Sequence, residues 1–182
     1  YLSFVEYSNV DKHKHDEEAS VRLCNYVDVY YNDYITADLD MMEATASQDE
    51  IRQHVLQAGD IIVTKDSETW DDIAVPAYVP SDLENVLCGY HLAQIHPKER
   101  EVDSEYLFRS FLARGISYQF RRSATGITRY GLGKHWLENA LFLVPPIPEQ
   151  RAIAAFLARE TAKLDALTRT FEQLLDRLAE RR

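Results

Sequence analysis

The sequence predicts an α+β fold. A mixed α/β domain with short strands is expected over residues 1–146, followed by a long C-terminal coiled-coil helix over residues 147–182. Three observations lead there. All six glycines lie in the first region, while the second has no glycine and a single proline, Pro148. The first region mixes short apolar runs with Gly, Pro, Asn and Asp, the punctuation of strands and turns. The second carries Ile153, Leu157, Glu160, Leu164, Leu167, Phe171, Leu174 and Leu178, an alternating four-three spacing broken only by Glu160. That is the a/d rhythm of a coiled coil.

In the first region, Gly59-Asp60 is a turn signal before the β-branched run Ile61-Ile62-Val63-Thr64. Ala74 to Val79 is a second candidate strand, which Pro76 confines to an edge or a bulge. Leu92 to His96 is a third and stops at Pro97; Leu141 to Val144 is a fourth and stops at Pro145-Pro146. Val21, Leu23, Val27 and Val29 partly alternate, but Asn25 and Asp28 leave that segment ambiguous. A helix is expected from Tyr106 to Arg114. Ser104 can cap it, Glu105 sits in its first turn, and Leu107, Phe108, Phe111 and Leu112 form its apolar face. Gly115 is its natural stop. In the second region Pro148 suits a first helical turn and Glu149 complements the helix dipole. A helix of that length extends about 50 Å and cannot bury its seam on itself. Its helix-pairing positions are Ile153, Leu157, Leu164, Leu167, Phe171, Leu174 and Leu178. The alternative is a single amphipathic helix folded onto its own domain.

At 182 residues and 46% hydrophobic content the chain can bury one sizeable core plus an appended element. No apolar run reaches eighteen residues, so no transmembrane helix and no membrane partner are expected. The first ten residues lack the basic and apolar regions of a signal peptide, and the absence of an initial Met leaves room for residues upstream. Cys24 and Cys88 read as buried, reduced thiols of a cytoplasmic protein.

The net charge of −10 argues against DNA binding when taken alone, but its distribution is uneven. Residues 1–108 carry seven Lys or Arg against 23 Asp or Glu. Residues 109–135 carry Arg109, Arg114, Arg121, Arg122, Arg129 and Lys134 and no acid. A basic island in an acidic protein can face phosphates; it can equally be a solvated face.

No catalytic constellation stands out. His13, Lys14, His15, Asp16, Glu17 and Glu18 match no recognised metal spacing and read as a solvated loop. Asp66, Glu68, Asp71 and Asp72 surround Lys65, but the strand-borne Asp followed by Glu-x-Lys of nuclease sites is missing. Val144-Pro145-Pro146-Ile147 lacks the polar residue and the aromatic of a methyltransferase base-binding segment, and Gly131-Leu132-Gly133 is a lone glycine pair. Neither P-loop nor helicase motif occurs. The chain reads as a recognition part with no metal or cofactor of its own.

Binding signals are better. Gly126 to Trp136 interleaves basic and aromatic residues in a flexible stretch, and Lys65 to Trp70 is a second polar loop. The candidate DNA-binding residues are Lys65, Ser67, Thr69 and Trp70 from that loop and Arg121, Arg122, Thr128, Arg129, Tyr130 and Lys134 from the basic island. Lys12 and Lys14 are outer candidates. Arg and Lys suit phosphates or guanine edges, Thr and Tyr base edges or backbone.

Val144-Pro145-Pro146-Ile147-Pro148-Glu149-Gln150-Arg151-Ala152-Ile153 resembles the junction in specificity subunits of type I restriction-modification enzymes. There a recognition domain ends and a Pro-x-x-Glu-Gln turn opens a long helix. Phe156 to Leu167 is similar to the start of that helix. Gly59 to Lys65, Gly126 to Gly133, Ser8 to Asp11 and Val21 to Tyr30 resemble further segments of such domains, in the expected order. The resemblance implies a target recognition domain over 1–146 and a spacer helix over 147–182. It implies a non-catalytic role in sequence-specific recognition of one half of a bipartite duplex DNA target. The implied partners are a DNA methyltransferase (modification) subunit, a restriction subunit, and a second copy or second half through the spacer helix. S-adenosylmethionine, ATP and Mg belong to the partner subunits only. The chain departs from the family in carrying one domain and one spacer. The rival reading is a coiled-coil protein-interaction adaptor without DNA readout.

Overall fold

The computed structural model describes residues 2–179. Tyr1 and residues 180–182, the outer ends of the two expected regions, lie outside the described residues. The architecture is α+β, with short strands and a long C-terminal helix.

The central element is a four-stranded antiparallel sheet in the order β1 (Ser3–Tyr7), β8 (Leu92–Pro97), β4 (Ile61–Thr64), β6 (Pro76–Tyr78). All four β4 residues are buried. This explains an apolar run without alternation: Ile61 and Val63 enter one core layer and Ile62 the other. β6 is the edge strand that Pro76 requires, and β8 runs on through Pro97, which pairs with Ser3 on the sheet's opposite edge strand. A second sheet has the order β3 (Met42–Ala46), β2 (Ala19–Cys24), β7 (Val86–Cys88), the β2–β7 pair being parallel. Cys24 and Cys88 are free, fully buried register partners in it.

The ambiguous Val21–Val29 segment resolves into strand and helix. β2 ends at Cys24 and α1 (Tyr26–Tyr31) begins two residues later. The Asp28 carboxylate accepts the Asn25 backbone N–H at 2.7 Å, so the polar residues that spoil the alternation are the helix start signal. α2 (Gln48–His54) opens on Ser47 and Glu50 in the same way.

α3 (Ser104–Leu112) covers one face of the central sheet, and three features differ from expectation. Its cap is Asp103, whose Oδ1 accepts the Tyr106 N–H at 3.0 Å; Ser104 is already helical. Leu112 is exposed, while Leu107, Phe108 and Phe111 are buried as expected. Gly115 is no stop: the chain turns at Ala113 into α4 (Arg114–Ser123). The turn lets Phe120 stack on Phe111, centroids 5.2 Å apart, and that aromatic contact folds the second helix back.

Leu141–Val144 forms no strand, a correction to the fourth strand expected there. Its backbone is satisfied by side chains. Gln119 donates to Leu141 O and accepts from Leu141 N, and the Tyr106 hydroxyl donates to Leu143 O at 2.9 Å. Leu141 and Leu143 stay exposed, and Phe142 alone packs inward.

α6 (Ile147–Ala179) docks by its first turns and then leaves the domain. Ala154 is buried and Ile153 packs on the core. Gln150 is 1% exposed; its Oε1 accepts the Asp103 N–H and its Nε2 donates to Pro145 O, both at 2.8 Å. Beyond Glu160, Leu164, Leu167, Phe171, Leu174 and Leu178 are all exposed. The helix is thus packed on its own domain at its root, while its a/d positions beyond Glu160 are exposed.

Gln150 and the partly buried His96 each carry a testable consequence for stability. Replacing Gln150 by Ala strands the Asp103 N–H and the Pro145 carbonyl, at a cost of about 1–3 kcal/mol. The urea midpoint should fall with its slope unchanged. The second concerns His96, whose Nδ1 lies 2.7 Å from Asp60 Oδ1. That hydrogen bond raises the His96 pKa above its ordinary value, against the effect of burial. A raised folded-state pKa gives stabilisation that is complete below the unfolded value, about 6.5, and is lost as pH rises through the folded value. The stability difference between wild type and His96→Gln should be largest at acid pH and shrink above neutrality, measured by urea unfolding across pH 5–9.

Candidate nucleic-acid interface

The two polar loops, sixty residues apart in sequence, meet in space. β5 (Asp66–Ser67) pairs antiparallel with β9 (Tyr130–Gly131), Asp66 opposite Gly131 and Ser67 opposite Tyr130. Leu132 N donates to Lys65 O at 2.8 Å, extending the ribbon. On its other side β9 closes a hairpin, with Thr125 and Gly131 exchanging both backbone hydrogen bonds. Gly126 has φ +152°, and a Cβ there would lie 1.9 Å from the Arg129 carbonyl oxygen. Only glycine fits that turn. Ile127, 95% exposed, and Thr128 and Arg129, also exposed, stand at its tip.

A cleft of about 440 Å³ opens beside the ribbon, lined by α1 and the loop after β5. Tyr26, Val27, Tyr30 and Tyr31 supply one wall, and Ser67, Thr69, Asp72 and Arg129 face them. Tyr26 stacks on Tyr30 with centroids 5.6 Å apart, and Tyr31 meets Tyr30 edge-on. The neighbouring carboxylate of Asp72 raises the Tyr30 pKa. These aromatic residues were not candidates from the sequence. The available signal was the run Tyr26-Val27-Asp28-Val29-Tyr30-Tyr31, in which helical spacing around the single inward residue Val29 leaves the tyrosines outside.

The sequence candidates take several roles. Ser67 is buried, its Oγ 3.2 Å from the Tyr26 hydroxyl and accepting the Thr69 N–H. Thr69 is exposed and bonds Asp72 Oδ2; Trp70, 43% exposed, starts a short 3₁₀ turn over Trp70–Asp72. Lys65 is turned inward. Its Nζ donates to Ser8 O at 3.1 Å and sits over the Tyr7 and Tyr90 rings, and burial pushes its pKa down. Tyr130 is half-buried and packs on the core. Arg129 Nε and Nη2 both donate to Asp66 Oδ1, at 3.1 and 2.6 Å. Arg121 lies 3.6 Å from Asp71 and Lys134 3.7 Å from Glu138.

Arg122 is exposed on α4. Lys134 lines a separate cleft between β1 and α5 (Lys134–Glu138), with Phe4, Glu6 and Lys98. Lys12 and Lys14 lie on the exposed β1–β2 connection, where Lys14 pairs with Glu43 of β3. The ribbon therefore gathers Lys65, Ser67, Thr128, Arg129 and Tyr130, and leaves Lys12, Lys14 and Lys134 apart.

The basic island is less basic than it reads. Arg109 is buried, its Nη2 2.5 Å from the Tyr34 hydroxyl and 3.6 Å from Glu105, so it belongs to the core. Acids distant in sequence balance Arg129 and Arg121. The chemistry on offer is hydrogen bonding, stacking and a modest cationic edge. Among the described residues no group of three or more His, Cys, Asp or Glu side chains could hold a metal ion, and no helix is long and apolar enough to cross a membrane.

No family model and no curated protein matches the sequence. Solved structures do. One, described as the structural basis of complex assembly and conformational transition of the type I R-M system, matches at TM-score 0.64 and 17% identity, over 93% of this chain and 38% of that one. The HsdS subunit from Thermoanaerobacter tengcongensis matches at TM-score 0.63 and 18% identity, over 88% of this chain and 41% of its own. The type I restriction-modification S subunit from M. genitalium matches at TM-score 0.53 and 15% identity, over 92% of this chain and 38% of its own. The chain thus spans about two fifths of each. It has the fold of a type I specificity subunit, with a mixed α+β domain followed by a long helix.

Proposed function

We propose that this chain reads one half of a bipartite duplex DNA target as part of the specificity subunit of a type I restriction-modification system. It directs a methyltransferase subunit, which uses S-adenosylmethionine, and a restriction subunit, which uses ATP and Mg. In this reading it performs no reaction itself. The observation that carries it is the fold likeness over about nine tenths of the chain, which includes the long helix as well as the domain. The paired loops support it, because a two-stranded ribbon fits the major groove and aromatic and polar side chains flank this one. The exposed apolar ridge of α6 supports a second helix as partner, from another copy or from another half of the same subunit.

Expression with the methyltransferase subunit, followed by genome-wide mapping of methylated sites, tests the reading. An interrupted motif is expected, one half of which changes when residues 65–70 and 126–135 are exchanged for those of another domain. Equal modification of all sequences, or a pattern indifferent to this chain, sinks it. The carboxylates beside Arg121 and Arg129 favour the rival adaptor reading, in which the same protein retards no DNA duplex with or without the methyltransferase. For the helix, Leu164→Asp should shift the protein toward monomer in sedimentation velocity, with unchanged folding of the domain.

A further inference from the structure

We infer that Arg129 is a guanine-reading residue, braced for that task by Asp66. The inference rests on the DNA-recognition reading above. Arg129 stands on the β9 hairpin and Asp66 on β5, and the backbone pairing of these two strands fixes the distance between them. Asp66 is itself held. Its side chain is 18% exposed, and His91 Nδ1 lies 3.0 Å from its Oδ2. The carboxylate accepts hydrogen bonds from Nε and Nη2 of Arg129, and Nη2 also lies 3.2 Å from His91 Nδ1. The Nη1 group has no hydrogen-bond partner among the described residues, and half of the side chain is exposed.

A guanidinium so placed has a fixed plane and an uncommitted Nη1 group. Guanine presents O6 and N7 side by side in the major groove, and a guanidinium end meets both at once. A brace removes rotamer freedom before binding, so less is lost on docking and a displaced acceptor is penalised. A phosphate contact needs no such brace, because it carries no sequence information. Arg114 and Arg122, exposed and in no ion pair among the described residues, have the freedom that phosphate contacts use. Asp66 also tempers the cationic charge of Arg129, which lowers its attraction to any backbone it meets.

Selection from duplexes with a randomised segment tests this, using the purified protein and its Arg129→Ala, Arg129→Lys and Asp66→Asn variants. Wild type should return a motif containing a fixed guanine. Arg129→Ala should keep the rest of the motif and lose discrimination at that guanine alone, by about 5- to 150-fold. The salt dependence of binding should stay as it was. Arg129→Lys should retain part of the preference. Asp66→Asn should relax the same position by a smaller factor although Asp66 touches no base. Uniform weakening on all sequences by Arg129→Ala, with a salt slope reduced by about one, would make Arg129 a phosphate contact and overturn the inference. An unchanged guanine preference in Asp66→Asn would remove the brace. No motif from wild type, alone or with the methyltransferase subunit, would defeat the DNA-recognition reading itself, and this inference with it.

Discussion

The molecule depends on one buried amide. Gln150 takes the Asp103 N–H with its oxygen and gives its nitrogen's proton to the Pro145 carbonyl. In doing so it ties three things together: the start of α3, the end of the connection that leads into α6, and the first turn of α6. Asp103 held in place caps α3, and α3 supplies Leu107, Phe108 and Phe111 to the main core. A buried amide left without partners costs more than the bonds it makes contribute, so this position tolerates little else. The remainder of α6 makes no comparable contact, and its direction relative to the domain is set at this root.

The ribbon is a second, more local constraint. Its strands are two residues long and would not persist alone. They persist because Lys65, at the end of a fully buried strand, anchors one side through Ser8 and the tyrosine rings. The other side is anchored by Leu132, which is buried and whose carbonyl accepts the Tyr7 hydroxyl. The residue taken from the sequence as a cation for DNA is thus part of the mounting that holds the hairpin.

Local signals carried much of the fold. The β-branched run at Ile61 is a strand, Pro76 sits on an edge strand, and the heptads after Pro148 form one long helix whose a/d positions beyond Glu160 are exposed. Leu141–Val144 misled because an apolar stretch says nothing about which groups satisfy its backbone; here Gln119 of α4 and Tyr106 of α3 do so. The candidate site was legible as two loops, and the basic island was overestimated. Arg109 lies on the buried face of α3, and the acids opposing Arg121 and Arg129, Asp71 and Asp66, come from the segment after β4, far earlier in the sequence. Such pairings exist only after folding. Gln150 was read as part of a motif, with no hint of why an amide must stand there.

The root of α6 also sets a mechanical tolerance. A 33-residue helix is a lever of about 50 Å. A tilt of about 4° at its base moves the far end by about 3.4 Å, the length of one base-pair step. Two hydrogen bonds from Gln150, the buried Ala154 and the partly buried Ile153 hold that angle, so the stiffness of one amide clamp bounds how precisely the far end of the helix is placed.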